Sequence, residues 1–420
     1  MTLLPLALRS LWNRRSTAIL TVLSIAISVA LLLSVRQMST QAQTAFTNTI
    51  SGTDLIVGAR SGQVNLLLYS VFRLGDATNN ISWSLYEKMA HQRDVAWAIP
   101  ISLGDSHRGF RVLGTTEEYF RHYHYAGDRA LQFAAGHSMQ DLFDVVLGAE
   151  VARKLGYRLG DKIVLSHGVS TVSLVQHSDK PFVVTGILRP TGTPVDRTVH
   201  VSLAAIEAIH IDWQSGMQAP EGARVSAEEA RTRDLTPKTV TAIFLGLKSK
   251  FSTFDLQRSI NEYRGEPLLA ILPGVALQQL WSVVSVVETI LTAVGAIVVV
   301  AGLLCLLTAI LTSLNERRRE MAILRSVGAR PAHVFLLFMS EAALLAVVGV
   351  IAGIVINQLA LLIARPIMQQ RYGLLLERWA WSITDLLVLA LVLAAALLIG
   401  AIPAWQAYRR TLADGLIMRI

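Results

Sequence analysis

The sequence predicts a membrane protein with four transmembrane helices and a large extracytoplasmic α+β domain on a helical stalk. Hydrophobic residues form 52% of the chain, charged residues only 16%, and mean hydropathy is +0.47, which is too apolar for an ordinary soluble protein. A bilayer core of ~30 Å requires about 20 apolar helical residues, and four runs meet that length. The predicted order is an amphipathic helix at 1–15, spans at 16–36, 281–314, 334–364 and 383–408, an extracytoplasmic domain at 37–280, a cytoplasmic helix at 315–333, a short outer loop at 365–382 and a cytoplasmic tail at 409–420.

Arginine clusters set the predicted orientation of the spans. Arginine is retained on the cytoplasmic side of a membrane, and clusters precede the first span, separate the second from the third and follow the fourth. This pattern places residues 37–280 outside, and it explains the net charge of +8 without a nucleic-acid partner. The clusters are Arg9, Arg14 and Arg15; Arg317, Arg318, Arg319, Arg325 and Arg330; and Arg409, Arg410 and Arg419.

The N-terminal segment is predicted to lie on the membrane surface. Its apolar side chains recur at helical spacing and form a stripe that can rest on the bilayer while the neighbouring arginines stay in water. The first span has no small-residue cleavage site after it, so we interpret it as a retained signal anchor. The residues of the surface stripe are Leu4, Leu8, Leu11 and Trp12.

The outer domain begins and ends with segments that continue the flanking spans as helices. Residues 37–50 and 274–288 carry no break between them and the spans, so they predict a two-helix stalk. Between these segments, runs rich in β-branched residues alternate with short helical patterns, which predicts an α+β fold. Residues 214–238 are rich in Pro, Gly, Glu and Arg and are expected to form a surface loop. Strands are predicted at 145–147, 162–166, 182–188, 199–202 and 240–247, and helices at 84–92, 150–155 and 203–209.

We interpret residues 315–333 as a cytoplasmic coupling helix. Met321, Leu324 and Val327 recur at three-residue spacing, with Ile323 beside them, so one apolar stripe can pack on a partner. Gly328 followed by Pro331 predicts the end of this helix and the start of the next. An arginine-rich loop that only fixes topology would explain the charges but not the stripe. The candidate coupling residues are Glu316, Arg317, Arg319, Glu320, Leu324, Arg325 and Gly328.

The third span contains a carboxylate and a pair of glycines. Glu341 is expected to snorkel or to bond to a neighbouring helix near the interface, rather than to carry protons, because a relay needs several buried ionisable groups. Gly349 and Gly353 are four residues apart, a spacing that permits close helix packing.

Motifs for catalysis and nucleotide binding are absent from the sequence. There is no Gly-x-x-x-x-Gly-Lys-Ser/Thr loop, no His-Glu-x-x-His, no Gly-x-Ser-x-Gly and no Cys-x-x-Cys. We therefore expect neither an enzyme nor a cofactor bound by this chain. Its one cysteine, Cys305, lies in the second span, so the outer domain has no disulfide.

His122 and His124 are the candidate metal ligands in the outer domain. If their stretch is extended, alternate positions share one face. No acidic residue or cysteine stands at a ligand-like spacing from them, so ordinary surface histidines are the favoured interpretation.

Several separated motifs resemble the FtsX-like permease domain of MacB-type ABC transporters. They are residues 315–331, residues 338–342 (Phe-Met-Ser-Glu-Ala) with the glycine pair of the third span, and residues 403–410 (Pro-Ala-Trp-Gln-Ala-Tyr-Arg-Arg). The outer domain resembles the MacB periplasmic core at residues 146–156, 160–163 and 184–188. The chain departs from MacB itself in carrying no fused ATPase domain, and residues 58–80 match no subgroup known to us.

This resemblance implies a permease subunit of the bacterial inner membrane that performs mechanotransmission. A separate ATPase subunit would bind ATP-Mg, two permease copies would form a homodimer, and motion would pass through the stalks to export or extract a periplasmic cargo. A periplasmic adaptor, lipoprotein or hydrolase is a possible further partner. The alternative is an FtsX-like signalling permease that regulates a periplasmic hydrolase, and metal-related transport is a minor alternative.

Overall fold

The computed structural model describes residues 3–168, 179–214, 217–218, 225–316, 321, 323, 326, 328–372 and 381–413. It divides into two compact units. We call the first the membrane unit, comprising Met1–Gln41, Val284–Pro366 and Glu377–Ile420. The second, the outer unit, comprises Ala42–Val283 and Ile367–Leu376.

Helices and strands follow the order that the sequence predicts, with a strand-rich region between the first two long helices. The helices are α1 (Leu3–Asn13), α2 (Arg15–Thr47), α3 (Gln63–Ser70), α4 (Trp83–Ala90), α5 (Glu117–His122), α6 (Ala149–Leu155), α7 (Leu203–His210), α8 (Ala227–Ala230), α9 (Thr253–Asn261), α10 (Pro273–Glu316), α11 (Pro331–Tyr372) and α12 (Ile383–Ala413). The strands are β1 (Leu55–Ala59), β2 (Ile81–Ser82), β3 (Val95–His107), β4 (Phe110–Thr115), β5 (His124–Tyr125), β6 (Arg129–Ala130), β7 (Phe133–Gly136), β8 (Asp144–Leu147), β9 (Lys162–Ile163), β10 (Ser166–His167), β11 (Phe182–Leu188), β12 (Thr198–Ser202), β13 (Trp213–Gln214), β14 (Met217–Gln218), β15 (Thr239–Val240), β16 (Ala242–Leu247) and β17 (Leu268–Ile271).

Four helices within the described residues are long and apolar enough to cross a membrane: α2, α10, α11 and α12. The prediction of four transmembrane helices with a large α+β domain is confirmed. One difference concerns the predicted outer loop at 365–382, because α11 continues through Pro366 to Tyr372. Proline removes one backbone donor but does not end this helix.

The outer unit is built on an 11-stranded mixed sheet in the order β17-β1-β16-β3-β4-β12-β8-β11-β7, with β10 beside β3 and β9 beside β11. Strand β1 is buried along its whole length, whereas β11 alternates buried and half-buried residues, the pattern of a strand with one covered face. Serine side chains cap the N-termini of three helices: Ser82 Oγ accepts from the N–H of Leu85, Ser202 Oγ from that of Ala205 and Ser226 Oγ from that of Glu229. The expected loop at 214–238 instead contains the short helix α8 and the ribbon β13-β14.

The first and last strands of the outer unit are neighbours. β1 pairs antiparallel with β17, so that Ile56 faces Ile271 and Val57 faces Ala270. The same strand pairs on its other side with β16. The chain therefore enters and leaves the sheet at one edge.

Candidate functional sites in the membrane unit and the outer unit

The glycine pair of α11 lies against α2. A Cβ atom built on Gly349 would lie 2.7 Å from Cγ2 of Ile25, and one built on Gly353 would lie 2.8 Å from the carbonyl oxygen of Ala26. Neither distance leaves room for a larger side chain, so these two positions let the backbones of α2 and α11 approach closely.

Buried polar side chains join α2 to α11 just beyond this contact. Ser34 Oγ donates to Asn357 Oδ1 at 2.7 Å, and Asn357 Nδ2 donates to Gln37 Oε1 at 2.9 Å. Arg36 lies 3.4 Å from Asp385 of α12, whose carboxylate is buried. None of these residues was among the site residues predicted from the sequence. Asn357 carried a sequence signal, because it is an amide side chain within the otherwise apolar third span.

Glu341 is buried inside the membrane unit. It lines a small cavity together with Ser10, Arg14, Thr17 and Ser313, among others. The carboxylate therefore lies among polar side chains of other helices rather than facing lipid. The predicted bond of Glu341 to a neighbouring helix, and its role in packing of the spans, stay predictions.

In helix α1, 78% of the surface of Trp12 is exposed, while Leu11 is half-buried. Leu4 and Leu8 lie in this helix, and their side chains are outside the described residues. At the end of α1, Arg14 pairs with Glu316 of α10 at 2.9 Å. A membrane-surface role for the stripe stays a prediction.

The coupling segment is described only in part. Arg317, Arg319, Glu320, Leu324 and Arg325 lie outside the described residues, so their predicted roles stay predictions. Gly328 has φ of +98°, a left-handed conformation typical of a helix end, as its sequence position predicted.

The apolar stripe of the coupling segment differs from the expectation at one position. Met321 is only 7% exposed and packs in the core of the membrane unit with Phe338 and Leu314. Ile323 is 63% exposed. Among the described residues of this segment, Ile323 is therefore the apolar side chain that is accessible to a partner. The sequence pattern had placed Ile323 beside the stripe and not in it.

The long helices α2 and α10 meet in the outer unit. The rings of Phe46 and Trp281 make an edge contact with centroids 5.7 Å apart, and Phe46 also lies 4.5 Å from the ring of Phe72. Leu277 and Ala276 of α10 belong to the main hydrophobic core of this unit. The outer ends of both helices are thus anchored in the core on which the sheet packs.

His122 and His124 are not on one extended strand. His122 is the last residue of α5, where it stacks on Trp97 and lies 3.1 Å from Glu118. His124 begins β5 and lies 3.9 Å from Asp128. Each histidine therefore has its own carboxylate, contrary to the spacing argument, because a helical turn and a tight loop bring acidic residues close. Their role as metal ligands stays a prediction.

A different pair of histidines converges on one carboxylate. Asp105 in β3 is 2% exposed, and its Oδ1 lies 3.2 Å from Nδ1 of His167 and 3.5 Å from Nε2 of His210. The two ring nitrogens are 3.1 Å apart. Asp105, His167 and His210 form the one group of three or more potential metal ligands found within the described residues. No sequence spacing indicated this group, since the three residues come from the separate elements β3, β10 and α7.

The electrostatics of this cluster follow from burial and pairing. Burial alone would raise the pKa of Asp105, but hydrogen bonds from His167 and His210 outweigh it and lower the pKa to about 2. Burial opposes the charged form of His210, yet the hydrogen bond and negative charge of Asp105 raise its pKa. Asp105 is therefore an anion that favours cationic neighbours.

Comparisons with known proteins match both units. Residues 18–262 match the MacB-like periplasmic core domain, and residues 292–412 match the FtsX-like permease C-terminal domain. A lipoprotein-releasing system transmembrane protein LolC from Xylella fastidiosa is 23% identical over 215 residues, which cover 51% of this chain and 46% of LolC. The pyoverdine export ATP-binding/permease protein PvdT from Pseudomonas fluorescens is 26% identical over 214 residues, covering 49% of this chain and 29% of PvdT. The chain spans about half or less of the length of these curated relatives.

Two solved periplasmic or extracellular domains also align with the chain. The periplasmic region of MacB from Actinobacillus actinomycetemcomitans aligns at 11% identity and a TM-score of 0.34, covering 55% of this chain and 94% of that domain. The extracellular domain of YknZ from Gram-positive bacteria aligns at 11% identity and a TM-score of 0.30, covering 52% and 99%.

Proposed function

The chain belongs to the family of ABC transporter permeases that carry a MacB-like periplasmic core domain and an FtsX-like permease C-terminal domain, and we propose that it transmits the motion of a separate ATPase to the periplasm. It is a multi-pass protein of the inner membrane with its core domain in the periplasm. The proposed outcome of the motion is export or extraction of a cargo from the periplasmic side.

The observation that carries this proposal is the continuity of α2 and α10. They have 33 and 44 residues, or roughly 50 and 66 Å at ~1.5 Å per residue, against a hydrocarbon core of ~30 Å. Each helix therefore extends well beyond the length needed to cross the membrane. A continuous helix transmits displacement along its axis, and the contacts of Phe46 and Leu277 deliver that displacement into the core of the outer unit.

The energy for this motion would come from a partner. ABC permeases work with an ATPase, and we propose that a separate ATPase subunit binds ATP-Mg and docks on residues 315–333. Ile323 supplies an exposed apolar contact there, and the arginines of the segment supply charge for acidic groups on the ATPase. A second copy of the permease would complete the assembly as a homodimer.

The experiment that tests the proposal measures motion across the membrane. Phe251 in the outer unit is 96% exposed, so Phe251→Cys in a Cys305→Ser background gives one labelling site per permease copy. In the complex with its ATPase, we expect the distance between the two spin labels to change when ATP is trapped. The matched control is the same labelled complex carrying an ATPase that binds ATP but cannot close. An unchanged distance in a complex that hydrolyses ATP would refute mechanotransmission.

A signalling role is the alternative that the same motion allows. A signalling permease would change the activity of a periplasmic hydrolase without moving a cargo. Comparison of a deletion strain with the parent distinguishes the two: retention of a specific lipoprotein, peptide or small molecule supports transport. Altered cell-wall hydrolysis with an unchanged periplasmic content would instead support signalling.

A further inference from the structure

We infer that Asp105, His167 and His210 form a binding site for a divalent transition-metal ion, with zinc the best match, on the periplasmic domain. This site is separate from the residues proposed to couple to the ATPase, and the inference does not depend on the proposed function. It also replaces the pair His122 and His124 as the leading candidate for metal binding in this chain.

The distances among the three ligand atoms fit one metal ion. Tetrahedral zinc with bonds of ~2.0–2.1 Å has ligand atoms ~3.3 Å apart. The three separations here are 3.1, 3.2 and 3.5 Å. The carboxylate oxygen and the two ring nitrogens therefore occupy positions close to three corners of such a tetrahedron.

The hydrogen bonding of His210 prepares it to act as a ligand. Its Nδ1 lies 2.8 Å from the carbonyl oxygen of Ile206, so Nδ1 carries a proton and Nε2 is the nitrogen that faces Asp105 and His167. A bound metal ion would replace the proton that Nε2 donates to Asp105. A ring N–H bonded to a carbonyl is the usual support of a metal-binding histidine, because it fixes the tautomer and the orientation of the ring.

The fold holds the other two ligands in register. His167 is directly opposite Asp105 in the antiparallel pairing of β10 with β3. Next to this pair, Ser106 Oγ donates to the carbonyl oxygen of Gly168 at 2.5 Å, which fixes β10 against β3. His210 is the last residue of α7, and the carboxyl end of a helix favours a positive charge. Three different elements thus converge on one point without needing to rearrange.

The ligand set also limits which ion would bind. One carboxylate oxygen and two imidazole nitrogens suit zinc and its first-row neighbours rather than magnesium or calcium, which prefer oxygen ligands. The described residues supply three ligands, which is the number found in zinc sites that keep a fourth position for water or for an incoming ligand.

His167 is 50% exposed, so the ion could enter from solvent and exchange. Such a site would suit a metal-bearing cargo or a metal-sensing periplasmic partner.

The test uses the full-length protein in detergent, stripped of metal with a chelator. Zinc binding is measured by equilibrium dialysis against chelator-buffered zinc, and cobalt substitution reports the coordination through its visible absorption. We expect one tightly bound zinc per chain and the intense absorption of tetrahedral cobalt. His167→Gln and His210→Gln should each weaken zinc binding by at least about tenfold. Because His167 is half exposed, His167→Gln should fold normally, and the CD spectrum and elution volume check this.

The matched control is the double variant His122→Gln and His124→Gln. It removes two imidazoles from the same domain without touching the proposed site, so it should keep wild-type affinity and the cobalt spectrum. Equal zinc affinity in the wild type and His167→Gln would overturn the inference, as would a wild-type protein without a tight zinc. In either case Asp105, His167 and His210 form a hydrogen-bonded cluster that does not bind a metal ion.

Discussion

Asn357 in α11 donates a hydrogen bond to Gln37 in α2 across 2.9 Å, and both side chains are buried. Ser34 bonds to the carbonyl oxygen of the same amide. Asn357 therefore uses its acceptor and a donor on one neighbouring helix. In an apolar environment such bonds fix the register of two helices, because any slip leaves polar atoms without partners. Helices α2 and α11 would move together when the permease changes state.

The first prediction concerns this hydrogen-bonded pair. Asn357→Leu should destabilise the protein by about 0.6–2 kcal/mol, because it removes two interhelical bonds and leaves Gln37 buried without this donor. Thermal unfolding in detergent measures the loss. Leu359→Ala on the same helix is the control, since Leu359 is 54% exposed and should have little effect. Equal melting temperatures for Asn357→Leu and wild type would show that the pair does not hold the helices in register.

The second prediction concerns docking of the ATPase. Ile323→Asp should weaken the complex with the ATPase by about 1–2 kcal/mol, or roughly tenfold, because an apolar contact is replaced by a charge that must be desolvated. Co-purification and the stimulated ATPase rate measure the effect. Ser326→Asp is the control, because it adds the same charge at another exposed position of the segment. If Ile323→Asp binds the ATPase like Ser326→Asp and wild type, Ile323 is not part of the docking surface.

The third prediction concerns the continuity of α2. Ala45 lies near the outer end of this helix. Proline at this position removes a backbone donor and kinks the helix, at a cost of ~3 kcal/mol or more. We expect the complex to assemble and hydrolyse ATP, but the label-to-label distance at position 251 should no longer respond to ATP. Ala45→Gly costs only about 1 kcal/mol without a kink and should keep the response. A normal response in Ala45→Pro would mean that α2 does not carry the motion.

The fourth prediction is a dependence of stability on pH. Burial, with the positive charge of Arg73, lowers the pKa of His200 from 6.5 to about 3. The folded state keeps His200 neutral while the unfolded chain protonates it near pH 6.5. Its contribution to stability is therefore complete above pH 6.5 and is lost as the pH falls toward 3, at up to about 1.4 kcal/mol per pH unit.

His200→Asn keeps a side-chain N–H donor near the carbonyl oxygen of Val146, which His200 contacts through Nδ1, but it cannot titrate. Urea unfolding of wild type and variant between pH 7 and pH 5 isolates the contribution of His200 from those of other buried groups. We expect the free energy of unfolding of the wild type to fall more steeply with acid. Parallel pH profiles would contradict the assignment.

Long patterns in the sequence predicted the fold well. Apolar runs fixed the four spans, and the run of residues 182–188 predicted β11 with its observed bounds. The predicted four-span α+β class and the family resemblance are confirmed by the structure and the domain matches. These predictions succeed because apolar runs, strand patterns and family motifs are each contained in a continuous stretch of the sequence.

Sites that combine residues far apart in the chain could not be predicted from the sequence. Asp105, His167 and His210 meet only because β10 pairs with β3 and α7 ends beside them. His122 and His124 were candidate ligands because alternate positions of an extended stretch share one face, but α5 ends at His122 and the two side chains have separate environments. Likewise, Met321 and Ile323 differ in exposure through packing against Phe338, which periodicity alone did not distinguish.

The adjacency of β1 and β17 has a consequence for how this protein can diversify. Backbones of paired strands are ~4.8 Å apart, so the chain enters the sheet at β1 and leaves it at β17 almost at one point. A module joined in this way can be replaced by another of different size or specificity without changing the separation of its two connections. A hybrid that exchanges everything between these strands for the corresponding segment of LolC or PvdT should insert and assemble. The membrane helices would then be the part common to both proteins, and the binding specificity of the hybrid would be that of the exchanged segment.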